Sequence, residues 1–232
     1  MLEGIRERLA IVNDRIARAA RRAGRDPQEI TLIAVSKTFD ASATQLAVDA
    51  GIRNLGENRV QEALEKIGQV KSNGLKWHLI GHLQSNKAGR AVDSFDVIHT
   101  IDSSDLVLRL DRIAREKGKR PVVLAQVDLA KEPTKSGAEE AELPAIVEAL
   151  DSAEHLDFRG LMTLPPFFDE PERTRPYFER LRRILESLNE GRAPERKLTE
   201  LSMGMSHDFE IAVEEGATMV RVGSAIFGAR GN

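Results

Sequence analysis

The sequence contains no cysteine, which removes a disulfide framework, a thiolate metal site and a cysteine nucleophile together. Aromatic residues make up only 4% of it, too few to build stacking platforms for nucleobases. No charge sign dominates: 34 Lys and Arg stand against 37 Asp and Glu, a net charge of -3, and the two signs are interleaved instead of forming a basic tract. Nucleic acid is therefore not an expected partner. Nor is a membrane, because no apolar run is long enough for a span or a signal peptide and the amino terminus, Met1-Leu2-Glu3-Gly4-Ile5-Arg6, is charged from the outset. The expectation is a cytoplasmic protein.

What is present is a chain of 232 residues, 41% of them hydrophobic, enough for one full core without a linker to divide it. A single domain over 1–232 is expected. Leu2, Ile5, Leu9, Val12 and Ile16 recur at helical spacing and predict an amphipathic helix ending near Gly24 and Pro27. It precedes the first strand and so packs outside the main architecture. Short apolar runs then alternate with helical patterns. Strands are predicted at 30–38, 52–55, 77–80, 97–101, 122–127, 156–164, 198–202 and 219–222. Between them fall helices carrying Leu46 and Val48, then Val60, Leu64 and Ile67, then Leu106, Leu110 and Ile113 behind the caps Asp102-Ser103-Ser104. Ile146, Val147 and Leu150 mark another, as do Tyr177, Phe178, Leu181, Ile184, Leu185 and Leu188. Eight strands in this rhythm define an α/β (β/α)8 barrel of TIM type with an extra amino-terminal helix; an open doubly wound sheet is the competing arrangement.

The first strand, Ile30-Thr31-Leu32-Ile33-Ala34-Val35-Ser36-Lys37-Thr38, reads as buried on both faces and stops at a lysine. Carboxyl ends of barrel strands are where reactive groups collect, and an amine there can form an imine with a carbonyl compound. Two late segments suit a phosphate: Leu201-Ser202-Met203-Gly204-Met205-Ser206 after strand seven and Arg221-Val222-Gly223-Ser224-Ala225-Ile226-Phe227-Gly228 after strand eight. Glycines admit backbone amides to an anion, serines donate to it, and barrels frequently bind phosphate between these two loops. Because strands one and eight are neighbours in a closed barrel, Lys37 falls beside that cradle. The combination describes a pocket for a phosphorylated aldehyde, with pyridoxal phosphate joined to Lys37, its phosphate among Ser206, Gly223 and Ser224, and Arg221 facing the pyridine nitrogen.

At this point the sequence resembles the pyridoxal phosphate homeostasis protein family. The resemblance is carried by Ala34-Val35-Ser36-Lys37-Thr38, Gly56-Glu57-Asn58-Arg59-Val60-Gln61-Glu62, the run Trp77-His78-Leu79-Ile80-Gly81-His82-Leu83-Gln84-Ser85-Asn86-Lys87, Gly160-Leu161-Met162-Thr163 and the two phosphate segments. It spans nearly the whole chain. It implies a barrel related to the amino-terminal domain of alanine racemase, a Schiff base on Lys37, and a part in vitamin B6 and amino-acid homeostasis without robust catalysis. The expected site comprises Lys37, Asn58, Ser202, Met203, Ser206, Arg221, Gly223 and Ser224. Expected partners are pyridoxal phosphate and the apo forms of enzymes that use it, with the protein itself a monomer. His207 departs from the pattern, since an acidic residue is expected there.

Other candidates carry less weight. His78 and His82 have metal-ligand spacing but straddle a strand end without a third ligand. His99 and His155 read as packing or surface residues. Asn58 either reaches the lysine and cofactor or caps the next helix. Lys131 and Lys135 read as solvated charges on the loop after strand five. A Schiff-base aldolase is the weakest alternative, and an amino-acid racemase the stronger one. Racemisation needs an acid and a base on opposite faces of the substrate carbon, and Lys37 supplies only one. The sole tyrosine, Tyr177, falls on a predicted outer helix.

Overall fold

The computed structural model describes residues 2–130 and 136–228. Eight parallel strands, β1 Thr31–Val35, β2 Asn54–Glu57, β3 Lys76–Leu79, β4 Val97–Ile101, β5 Val122–Gln126, β6 Asp157–Met162, β7 Glu200–Met205 and β8 Met219–Val222, form a closed barrel in sequence order. Closure is made by β8 returning to β1, with Ile33 opposite Arg221 and Ala34 opposite Val222. The helices are α1 Leu2–Arg22, α2 Ala41–Asp49, α3 Val60–Ile67, α4 Ala88–Ser94, α5 Ser104–Lys117, α6 Leu143–Ser152, α7 Arg175–Leu188, α8 Phe209–Glu214 and α9 Ser224–Phe227. The open doubly wound alternative is thereby set aside.

The period-two alternation of each strand sorts side chains between two cores. Outward residues such as Ala34, Leu55, Leu79, Ile98, Leu161 and Val220 join the helices in one large cluster. Ile33, Leu124, Met162 and Met219 form a separate small cluster inside the barrel. Helix α1 buries Ile5, Leu9, Val12 and Ile16 on one face, as its spacing predicts, and lies against α8, α9 and α2. Arg8 Nε donates to the Ile226 carbonyl at 2.6 Å, so the extra helix braces the last turn of the barrel.

The strand limits differ from the sequence expectation in instructive places. Strand β2 runs past Leu55 through Gly56 and Glu57, because Gly56 points into the barrel where a Cβ would sit 2.9 Å from Ile33 Cγ2. Strand β7 continues to Met205, three residues beyond its predicted end. It contains Gly204 at φ +91°, and its register with β8 shifts between Ser202 and Met205, the mark of a bulge. Helices α4 and α8, of seven and six residues, were too short to show a helical period. Lys131 and Lys135 lie outside the described residues.

Candidate functional site

Strand β1 ends two residues before Lys37, so the lysine stands on a turn above the strand and not within it. The turn is firmly held. The Ser36 N–H donates to the Gly56 carbonyl at 3.1 Å, and the Ser36 hydroxyl donates to Glu57 Oε1 at 2.6 Å. Lys66 Nζ, from α3, donates to the same carboxylate oxygen at 2.7 Å and to the Ser36 carbonyl at 2.6 Å. This buried ion pair was not anticipated, since its partners sit on a strand and a helix with no motif linking them. Thr38, next to the lysine, adopts φ +70°, a costly conformation for a β-branched residue and one that concentrates at functional turns. Phe39 then stacks on Phe227 of α9 with ring centroids 4.8 Å apart, which ties the lysine turn to the last loop of the barrel.

That last loop is the expected anion cradle. Ser206 Oγ accepts from the Gly223 N–H at 3.1 Å and the Ala225 N–H at 3.5 Å, binding the loop after β7 to the loop after β8. Gly204 is required at its bulge, because a Cβ there would lie 2.5 Å from Ala212 Cβ. Asp208 Oδ1 accepts from the Met205 N–H at 2.6 Å and closes the same turn; burial raises the Asp208 pKa, against the pull of that hydrogen bond and of Arg221.

Lys37, Asn58, Ser206, Arg221, Gly223 and Ser224 all line one cavity of about 630 Å³ at the carboxyl end of the barrel. The volume suits a small molecule. Asn58 belongs to its wall, and α3 has no side-chain cap, so the capping alternative falls. Gly81 makes that wall possible, because a Cβ on it would come within 2.3 Å of the Asn58 carbonyl oxygen. Two expected residues are placed elsewhere. The Met203 side chain points outward and is fully buried in the helix-facing core. Ser202 points inward but lies beneath Arg221, outside the cavity lining.

Arg221 is 3% exposed. Its guanidinium donates from Nη1 to Ser202 Oγ at 2.6 Å and from Nη2 to the Thr163 carbonyl at 2.9 Å. Both acceptors are neutral. Burial lowers its pKa to about 10, partly opposed by Asp208, so it stays charged at neutral pH.

His78 and His82 diverge. His82 lines the cavity and pairs through Nδ1 with Asp102 at 3.2 Å, while burial raises the Asp102 pKa. His78 turns into the barrel interior toward His99 and Asn54. His99 was read as packing or surface; it is fully buried and hydrogen-bonded on both ring nitrogens. His155 is partly exposed, beside Asp111 at 3.7 Å. His207 lines the cavity, packs at a tilt against the exposed Phe167 with ring centroids 5.1 Å apart, and donates from Nε2 to the Phe168 carbonyl at 3.1 Å. Gln126 and Phe167, also in the lining, carry no motif that would have singled them out.

A barrel with a lysine after the first strand and an anion cradle after the last two has a recognised counterpart. Residues 8–231 match the family model described as alanine racemase, N-terminal domain. The solved alanine racemase of Clostridium difficile 630 superposes with a TM-score of 0.75 at 18% identity, over 99% of this chain and 58% of that one, a likeness of fold. More similar are a pyridoxal phosphate homeostasis protein of Pseudomonas aeruginosa, 44% identical over 97% of this chain and 96% of that one, and one of Escherichia coli K12, 43% identical over 99% and 98%. The structure of PipY from Synechococcus elongatus PCC7942, described with PLP bound, has a TM-score of 0.86 at 43% identity over 97% of this chain and 100% of that one. This chain belongs to the pyridoxal phosphate homeostasis protein family.

Proposed function

We propose that this barrel binds one pyridoxal phosphate through Lys37, takes part in intracellular vitamin B6 and amino-acid homeostasis by holding the cofactor and releasing it to apo-enzymes, and does not turn over amino acids at an enzymatic rate. The observation that carries the reading is the convergence of Lys37, the Ser206–Gly223–Ser224 cradle and the buried Arg221 on one cavity. The homeostasis-protein relatives and the PLP-bound PipY structure support the ligand. The Lys37 amine would attach to the aldehyde carbon. Ser206, Ser224 and nearby backbone amides would hold the phosphate, as hydroxyls and exposed N–H groups hold anions. Arg221, a buried cation whose two bonded acceptors are neutral, would face the lone pair of the ring nitrogen.

When bound, the cofactor supplies an electron-accepting ring, strongest when its nitrogen is protonated by a carboxylic partner. Arg221 offers that nitrogen no such proton exchange, and its positive charge disfavours a second one beside it. Tyr177 stacks against Phe168 with centroids 6.0 Å apart and is not among the residues lining the cavity. The binding half of a pyridoxal phosphate enzyme is thus assembled with little of the proton-transfer half. The same reading takes 1–232 as one domain acting as a cytoplasmic monomer; light scattering checks the monomeric state. No described helix is long and apolar enough to cross a membrane.

Two assays test the function together: solvent deuterium uptake into alanine and other amino acids, and reactivation of an unrelated apo-enzyme by the loaded protein. Slow uptake with efficient reactivation is expected. Several turnovers per second without transfer would replace the carrier with a racemase.

A further inference from the structure

Beneath the cavity a line of polar side chains, buried except for the half-buried Asn54 at its end, crosses the barrel from β8 to β2, and its proton positions follow from donor and acceptor counting. Arg221 has no acceptor, so Nη1 must donate to Ser202 Oγ at 2.6 Å. Ser202 Oγ also lies 2.8 Å from His99 Nδ1. His99 Nε2 is 2.9 Å from His78 Nδ1, and His78 Nε2 is 3.0 Å from Asn54 Oδ1. If the Ser202 hydroxyl donates to His99 Nδ1, then His99 carries its proton on Nε2 and gives it to His78 Nδ1. His78 in turn carries its proton on Nε2 and gives it to the Asn54 carbonyl oxygen. Every link then has one donor and one acceptor. The reverse order would make Ser202 Oγ accept twice, leave its hydroxyl proton without a partner in a fully buried site, and require the Asn54 amide to turn over. Leaving such a donor unmade costs more than the bond gains.

We propose that Ser202, His99 and His78 form a neutral, one-directional hydrogen-bond relay that fixes the Arg221 guanidinium toward the cavity with no carboxylate bonded to it, and so act as positioning residues for recognition of a ring nitrogen. The physical logic is the choice of acceptor. A carboxylate bonded at the Ser202 position would hold the arginine as firmly but would cancel its charge toward the ligand, whereas a hydroxyl backed by two neutral rings holds it and leaves the charge directed at the cavity, opposed only by the through-space pull of Asp208. Burial depresses both histidine pKa values, to about 3 for His78, with His78 and Arg221 adding to the effect at His99, which keeps the rings neutral as the relay needs. This inference rests on the reading that Arg221 meets the pyridine nitrogen, and the test separates the two.

The relay itself is read in the ligand-free protein by nitrogen-15 NMR of the histidine rings. Both His78 and His99 should be neutral Nε2–H tautomers at pH 7; an Nδ1–H tautomer or an imidazolium at either position overturns the relay. Its role is read by comparing pyridoxal phosphate with the 1-deaza analogue, which carries C–H in place of the ring nitrogen. The natural ligand should bind about tenfold more tightly to the unaltered protein, the size of one hydrogen bond to a charged group. That preference should survive in His99→Gln, whose amide can accept from Ser202 and donate to His78, and collapse toward equality in His99→Leu and Ser202→Ala. Equal losses for both ligands in the variants would make the relay merely structural and overturn the proposal. An unaltered protein that does not distinguish the two ligands would instead remove Arg221 from the ring nitrogen, whatever the NMR shows.

Discussion

Acidification should destabilise this barrel well above the range where ordinary carboxylates titrate, because His78 and His99 are held neutral by burial. The direction follows from proton counting. In the unfolded chain a histidine binds a proton near its ordinary pKa of about 6.5, while in the folded barrel His78 does so only at about 3. Between those values the unfolded state binds more protons, so stability falls as pH falls. Each ring contributes a slope approaching about 1.4 kcal/mol per pH unit below 6.5. From pH 7 to pH 5 that integrates to about 2 kcal/mol for His78, and His99, depressed in the same direction by its burial, adds to it. Asp102 and Asp208, whose pKa values burial raises, act with the opposite sign. Against a domain stability of about 5 to 15 kcal/mol the effect is large. Urea unfolding at pH 7 and pH 5 measures it, and His99→Gln isolates it, because the amide can make the same bonds and does not titrate. The variant should lose measurably less stability than the parent over this interval. Identical losses in parent and variant would refute the reasoning.

The cradle and the lysine turn give two further expectations. Ser224→Ala should weaken pyridoxal phosphate binding by about tenfold, the order of one charge-assisted hydrogen bond, while leaving binding of pyridoxal, which lacks the phosphate, nearly unchanged in a fluorescence titration. Equal losses for both would mean the loop shapes the site without gripping phosphate. Lys66→Met should cost about 3 to 5 kcal/mol in urea unfolding, because it leaves the fully buried Glu57 carboxylate without its cation. Pairing it with Glu57→Gln should recover most of that loss; a double variant as unstable as the single would assign the effect to packing.

The barrel was legible because its signals are local and repeated. Apolar runs alternate with helical spacings, and the end of every predicted strand but the fourth falls near a residue that lines the cavity. Lys37, Ser206, Gly223 and Ser224 stood out as strand-end chemistry before their convergence was visible. What stayed hidden depends on contacts distant in sequence. The bond from His99 to Ser202 spans 103 residues, and nothing near either position announces it. The Glu57–Lys66 pair joins a strand to the helix behind it, and a single lysine inside a helical pattern reads as a solvated charge. Strand β7 was misjudged for a different reason. Glycine and methionine in Ser202-Met203-Gly204-Met205 resemble a loop, whereas a bulge with one left-handed glycine lets the strand continue and turns Met203 away from the ligand cavity.

The central claim is that Lys37 carries the cofactor. Borohydride reduction of the loaded protein followed by peptide mapping tests it most directly. One reduced pyridoxyl group per chain should be found on the peptide containing Lys37, and Lys37→Ala should lose both the label and the visible absorption band. A stoichiometric label on Lys135 or any other lysine, with Lys37 unmodified, would contradict the account.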